Sequence, residues 1–344
     1  MKIVVVAGMH RSGTSLTASM LERLGVDVGT DLLPADRSNV RGYYEDRVFL
    51  EFQRGLLRRA TPRDTPGWRD WGWTEREVLD EDTIAAGAPD ARRLVAERAA
   101  ALGERPWGWK DPRTTLLLDL WDRILDDAHY VCVYRAPWEV LDSIVRVADG
   151  GFVRDPGWAL RAWSFYNRRM LEFAAARRDR CTVLDVGALL AEPTRGVDLL
   201  VDRIGLAVDD VARREAAGVA EPSLLRRAGR DDLVERLVRA AAPELVDELE
   251  TLDAVADLAP AERIVPVPLA LGADDALDVL VRWRAAEAER DQLRAQLATL
   301  ETAYADLRAE SEARHVLMLE KEREAIERME AIERLRRELD ARSD

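Results

Sequence analysis

The chain has 344 residues, of which 47% are hydrophobic and 34% charged, with a formal net charge of −14. That length and apolar content allow one large α/β domain with an appendage, or two domains, with a sizeable core. The negative balance excludes an extended nucleic-acid surface, which needs a basic field, but is compatible with a local arginine pocket for a small anion.

Composition narrows the chemistry further. Cys132 and Cys181 each lie beside β-branched residues, and neither has a second Cys or a His at ligand spacing. Buried free thiols are expected, with no metal site and no disulfide framework. No apolar run approaches the ~18 residues of a membrane span, and the opening Met-Lys, a few apolar residues and then His-Arg lack the pattern of a signal peptide. The expected location is cytoplasmic. Basic residues are almost all arginine; Lys2, Lys110 and Lys321 are the exceptions.

In chain order, the run Ile3-Val4-Val5-Val6 predicts a strand over Lys2–Ala7. A glycine-bounded loop, Gly8–Gly13, follows, and then a helix to about Leu24 with Gly25 as its stop. Val26–Gly42 is rich in Gly, Pro, Asp and Asn and reads as loop. Tyr43-Tyr44-Glu45-Asp46 opens an amphipathic helix with Val48, Phe49, Phe52, Leu56 and Leu57 at helical spacing. A breaker-rich stretch, Thr61–Thr74, carries Trp68, Trp71 and Trp73, and a polar helix is expected over Ala91–Leu102. Trp107–Asp111 is a short strand, after which Asp111 caps a helix with Pro112 in its first turn. His129–Tyr134 is a buried strand, Arg135-Ala136-Pro137 a turn and Trp138–Val147 a helix. Further on, Trp158–Ala176 is helical, Cys181–Val186 a strand, and Thr194–Ile204, Asp209–Ala217 and Asp231–Leu252 are helices.

The last segment differs. From about Trp283 to Leu339 there is neither Gly nor Pro. Leu297, Tyr304, Ser311, Met318, Ala325, Ile332 and Leu339 are spaced by seven, and Leu293, Leu300, Leu307, Arg314, Lys321, Arg328 and Leu335 form the companion row. This pattern suits a coiled coil with a polar middle, or a single solvated helix. The expected organisation is an α/β domain over 1–265, a linker over 266–282 and a helical tail over 283–340 that serves homo-oligomerisation or partner docking.

The recurring strand–loop–helix order implies a central parallel sheet, and ligands of such sheets bind beyond the carboxyl ends of the strands. Arg11, Lys110 and Arg135 each follow a predicted strand, so all three are expected at one edge. The Gly8–Gly13 loop has the spacing of a phosphate cradle, in which backbone N–H groups and a helix N-terminus face an anion. Thr14 stands where a Mg-dependent NTPase needs lysine, and the base lies inside the loop, at Arg11. An NTPase is therefore disfavoured.

Three stretches, taken in order, resemble the sulfotransferases that use 3′-phosphoadenylyl sulfate (PAPS). They are Gly8–Ser15, Trp109-Lys110-Asp111-Pro112-Arg113, and Tyr134-Arg135-Ala136-Pro137 with Ser143 beyond it. The chain is most similar to the bacterial branch with a Gly-x-x-Arg-Ser-Gly-Thr-Ser loop, and around its basic motifs to tyrosylprotein sulfotransferases. The resemblance covers the core to about residue 205 and leaves the tail outside.

It implies PAPS as co-substrate, with no metal, and transfer of a sulfuryl group to a hydroxyl or amine of a carbohydrate or other small molecule. It assigns the 5′-phosphosulfate to His10, Arg11, Ser12, Gly13, Thr14 and Ser15, and the 3′-phosphate to Arg135 and Ser143. It gives Arg11 the leaving-group charge and Lys110 the sulfuryl or bridging oxygen. Glu45 is the candidate base, with Asp46 and His10 as alternatives. Several residues also have plainer readings. Glu45 beside Asp46 fits a charged helix start, Asp111 fits a cap and Arg135 an ion pair. Arg113 fits a ligand contact or a pair with Asp111. The tryptophans fit an acceptor platform or loop packing. Asp185-Val186 replaces the Tyr-Glu pair common in this branch, which leaves the adenine contacts open. The rival readings are a P-loop kinase or NTPase and a catalytically silent nucleotide-binding module recruited through the tail.

Overall fold

The computed structural model describes residues 2–35, 42–147, 150–220 and 233–343. They divide into two compact units, one ending at Arg284 and the other beginning at Ala285. In chain order the first unit runs β1 (Ile3–Ala7), α1 (Thr14–Arg23), α2 (Arg47–Ala60), the two-residue strands β2 (Gly67–Trp68) and β3 (Trp73–Thr74), α3 (Glu81–Ala86), α4 (Ala88–Leu102) and β4 (Trp107–Lys110). A 3-10 stretch, Pro112–Leu117, leads into α5 (Leu118–Asp122), followed by β5 (Ala128–Tyr134), α6 (Pro137–Arg146), α7 (Gly150–Arg154), α8 (Pro156–Ala176) and β6 (Cys181–Asp185). Then come α9 (Val186–Ala191), α10 (Pro193–Ile204), α11 (Asp210–Gly218), α12 (Leu233–Ala241) and α13 (Glu244–Val255), and α14 (Ala273–Ser343) begins in this unit.

The sheet is a four-stranded parallel one in the order β4-β1-β5-β6. Its strands alternate between two cores. Val5, Ala7, Tyr130, Cys132, Cys181 and Val183 pack into one; Val4, Val6, Val131, Val133 and Leu184 pack into the other. Period-two alternation with both faces apolar is what a parallel sheet covered by helices on both sides requires. Because β4 and β5 flank β1, the crossovers after β1 and β4 run to opposite sides. The carboxyl end of β1 is therefore the switch point, where such folds keep their ligand cleft.

The central parallel sheet with surrounding helices and a long C-terminal helix is as expected, but details differ. α2 starts at Arg47, because the Asp46 side chain accepts the Val48 N–H and caps it. Val48 is exposed, not part of the apolar face. The expected helix over Asp231–Leu252 is two helices, α12 and α13, interrupted before Glu244 where Pro243 removes a donor; residues 231–232 lie outside the described set. α3, α7 and α9 fall in stretches where the sequence reading places no helix. Within 266–282, α14 already begins at Ala273, and Ala276 and Leu280 are buried.

The second unit is the remainder of α14. Leu293, Leu297, Leu300, Tyr304, Leu307, Met318, Ile332 and Leu335 are all exposed along it. Ion pairs one turn apart, such as Arg308–Glu312 at 3.0 Å and Arg323–Glu327 at 3.2 Å, support the single helix. The side chain of Leu339 lies outside the described set. Among the described residues no helix is long and apolar enough to cross a membrane.

Candidate active site

The loop between β1 and α1 is shaped by two close approaches. Gly8 has φ +147, and a Cβ there would lie 2.1 Å from the Val133 carbonyl oxygen. Gly13 has φ +90, and a Cβ would meet Val186 at 2.3 Å. Arg11 is itself left-handed, with φ +69, a conformation that a non-glycine residue holds only when its surroundings enforce it. The Gly8 N–H donates to Thr115 Oγ1 at 2.7 Å, and the Ser12 N–H donates to the Met9 carbonyl at 3.2 Å.

Lys110 ends β4 and is buried, as is Glu45. Its ammonium donates to Glu45 Oε1 at 2.6 Å and to the Tyr43 carbonyl at 2.7 Å. The Ser15 hydroxyl donates to the same carbonyl at 3.0 Å, so the start of α1 and the end of β4 share one acceptor. Burial raises the Glu45 pKa and Asp111 adds to the rise; the Lys110 ammonium opposes it without cancelling it. Glu45 is thus a proton acceptor of raised affinity beside a fixed cation.

Asp111 caps the Pro112–Leu117 stretch through the Arg113 N–H at 2.9 Å and pairs with Arg113 Nη1 at 3.0 Å. Arg113 Nε also donates to the Asp70 carbonyl at 2.7 Å. Gln53 locks this corner from α2: its amide donates to Asp111 Oδ2 at 3.1 Å, while its carbonyl accepts from Thr114 at 2.7 Å and Trp121 at 3.0 Å.

His10 stacks on Trp71, with centroids 3.9 Å apart and planes 7° apart, and meets Tyr166 edge-on at 6.1 Å. Its pKa is lowered, first by burial and then by Arg113, Lys110 and Arg11, so the imidazole is neutral. Its Nε2 and the Ser12 hydroxyl are buried with no hydrogen-bond partner among the described residues. Two orphaned polar atoms in one loop are what an anion-binding cradle presents.

On the opposite side of the loop, α6 supplies two anchors one turn apart. Arg11 Nε donates to Ser143 Oγ at 2.9 Å, and Arg135 Nε donates to Glu139 Oε2 at 3.0 Å. Arg135 Nη1 reaches back to the Arg11 carbonyl at 3.3 Å. Ser143 was expected beside Arg135; it is bound to Arg11, because an i to i+4 step along α6 hands Glu139 to Arg135. Thr14 is buried and opens α1.

A model of the sulfotransferase family matches residues 4–210 of the chain. The chain belongs to the sulfotransferase family. The match spans the sheet, the loop, Lys110, Arg135 and Ser143. Solved structures similar to this sulfotransferase include the sulfotransferase domain of the Synechococcus PCC 7002 olefin synthase, at 17% identity over 83% of this chain and 94% of that one, with a TM-score of 0.43. A Mycobacterium tuberculosis H37Rv sulfotransferase matches at 17% identity over 64% and 71% of the two chains, with a TM-score of 0.38. A mouse sulfotransferase solved with PAP matches at 10% identity over 67% and 68%, with a TM-score of 0.33. No curated protein matches the chain.

The candidate site around the loop after β1 thus gathers Arg11, Lys110, Glu45, Arg135, Ser143, His10 and Ser12. Asp46 is drawn away from it, since both its carboxylate oxygens are taken, one by the Val48 N–H and one by the Thr30 N–H, each at 3.1 Å. Trp73 is fully buried, and Trp71 packs on His10 and Phe152. Those two are packing residues; Trp68 is half-buried against Phe152. The Tyr43 carbonyl, Thr115, Gln53 and Glu139 hold the cleft together and carry no signature in the sequence. Only Glu139, four residues after Arg135, lies at a spacing that hints at its partner.

Proposed function

We propose that this sulfotransferase moves a sulfuryl group from PAPS to a hydroxyl or amine of a carbohydrate or other metabolite. The observation that carries the reading is the buried pair of Lys110 and Glu45 at 2.6 Å, next to the loop whose Arg11 carbonyl accepts from Arg135 at 3.3 Å, beyond the carboxyl ends of β1, β4 and β5. The loop fits the donor: the orphaned Ser12 hydroxyl and His10 nitrogen, with the N-terminus of α1, offer partners to phosphosulfate oxygens. Arg135, planar and permanently charged, is suited to the 3′-phosphate. The Tyr-Glu pair common in the branch is replaced here by Asp185-Val186, and Asp185 caps α9 and binds Arg263 at 2.9 Å.

The chemistry follows from those groups. The acceptor oxygen or nitrogen attacks sulfur, the bond from sulfur to the phosphate oxygen breaks, and its electron pair leaves with the bisphosphate. Glu45 takes the acceptor proton. Lys110 uses two N–H groups on Glu45 and Tyr43, and its third is available to the bridging oxygen. Arg11, bent into the cleft by its left-handed backbone, offsets charge on the leaving phosphate. Once Glu45 is protonated its hold on Lys110 weakens, which frees the ammonium as the leaving group gains charge.

The domain organisation belongs to the same proposal. The catalytic part comprises the α/β unit, and the charged tail is an oligomerisation or docking device. A panel of carbohydrate, alcohol and amine acceptors with isotope-labelled PAPS tests the reading. Labelled product that falls about 10²-fold or more with Lys110→Ala supports it. Magnesium-dependent ATP hydrolysis with no sulfuryl transfer would overturn it.

A further inference from the structure

The first turns of the C-terminal helix sit inside the catalytic unit, and one of their side chains is buried in an unusual way. Arg284 Nη2 lies 2.5 Å from Asp142 Oδ1, and the two side chains are 4% and 3% exposed. Arg146 Nε holds the other oxygen of Asp142 at 2.9 Å. Asp142 is on α6, next to Ser143. The same helix presents Glu139 to Arg135 and Ser143 to Arg11, the two arginines of the donor site.

Geometry links these contacts. Glu139 and Ser143 are one turn apart and share a face of α6, whereas Asp142 points about 100° away from Ser143. A helix with fixed ends can still roll about its axis, and a roll would carry Glu139 and Ser143 off their arginines together. A buried charge pair resists that roll because separating it strands a charge out of water. Leu280 and Ala276, one and two turns before Arg284, are fully buried, and Trp283 packs against the core, so Arg284 is delivered from a seated element. Its guanidinium also lies over the Trp283 ring at 4.0 Å, which limits its freedom.

We propose that Arg284 is a positioning residue for the donor site, acting through Asp142 to hold the α6 face that carries Glu139 and Ser143 against Arg135 and Arg11. The inference rests on the donor assignment made above. It makes the beginning of the tail helix a support of the donor site, although the last sequence motif ends at Ser143, about 140 residues before Arg284.

The test is a double-mutant cycle on the full chain, read as affinity for adenosine 3′,5′-bisphosphate well below the melting temperature of every variant. Arg284→Gln should weaken binding about tenfold, and Ser143→Ala should weaken it by a similar factor. The double variant should be no weaker than the worse single one, because Arg284→Gln already loosens the Ser143 contact to Arg11 that Ser143→Ala removes. Arg284→Lys keeps the charge and loses the planar fork. It serves as the second variant if Arg284→Gln does not fold, with a smaller loss and the same non-additivity. Wild-type affinity in the folded Arg284 variants, or losses that multiply with Ser143→Ala, would overturn the positioning role. A wild-type chain that fails to bind the bisphosphate would instead overturn the donor assignment itself.

Discussion

At the scale of single residues, Glu45 and His129 make separate predictions about pH, one for rate and one for stability. As the proposed base, Glu45 can take the acceptor's proton only when ionised, and its pKa is raised by burial. The rate should therefore fall on acidification at a pH above the ordinary carboxylate range. Glu45→Gln should keep bisphosphate affinity and lose about 10²–10⁴-fold in kcat, with the acid limb abolished. A pH–rate profile of both proteins checks this; unchanged turnover in the variant would move the base elsewhere. His129 bears on stability. It lies in the sheet with Nε2 2.7 Å from Thr182 Oγ1, and burial lowers its pKa to about 4. The unfolded chain takes up that proton near pH 6.5 and the folded chain only near 4, so acidification across this window favours unfolding. The loss approaches about 3 kcal/mol below pH 4. Urea melts at several pH values should show the slope, and His129→Gln should remove most of it.

At the scale of elements, the start of α2 separates two adjacent carboxylates. Asp46 binds the Val48 and Thr30 N–H groups, which joins the helix start to the loop before it. Asp46→Ala should cost about 1–2 kcal/mol in stability, yet keep far more activity than Glu45→Gln. Thermal melts and turnover of the two variants check the pair. Gly8→Ala should be more severe than either, since its Cβ would meet the Val133 backbone oxygen at 2.1 Å and cannot be accommodated by a side-chain shift. Loss of soluble protein or of donor binding is expected, read by bisphosphate titration of whatever folds.

The same elements show what was legible in the sequence. The strand–loop–helix units were, because β-branched runs, glycines and prolines act locally. That placed Arg11, Lys110 and Arg135 at one sheet edge. The contact between Lys110 and Glu45 was not readable by spacing, since it joins a strand end to a loop 65 residues away. Ser143 was singled out for the 3′-phosphate with Arg135; its hydrogen bond to Arg11 was not readable, because that contact comes from the loop after β1. Asp46, an alternative to Glu45 as base, caps α2, the plainer reading that its residue type and place at a helix start already offered.

At the scale of the whole molecule, the catalytic unit and the rest of α14 obey different rules. The former buries two apolar cores around a sheet, while the latter exposes leucines at heptad positions and stabilises its surface with ion pairs between turns. A chain shortened after Arg284 should keep bisphosphate affinity within about twofold. If the tail pairs with a second copy, sedimentation should show the full chain as the larger species and the shortened one as a monomer.

The central claim is that this cleft is built for a nucleotide carrying a 3′-phosphate and a 5′-phosphosulfate, and not for a nucleoside triphosphate held with magnesium. Calorimetric titration in the presence of a chelator tests it most directly. The account predicts one-to-one binding of adenosine 3′,5′-bisphosphate without divalent metal, weaker binding of ATP, and a loss of about tenfold or more with Arg135→Ala. Tighter binding of ATP than of the bisphosphate, dependent on added magnesium, would contradict it.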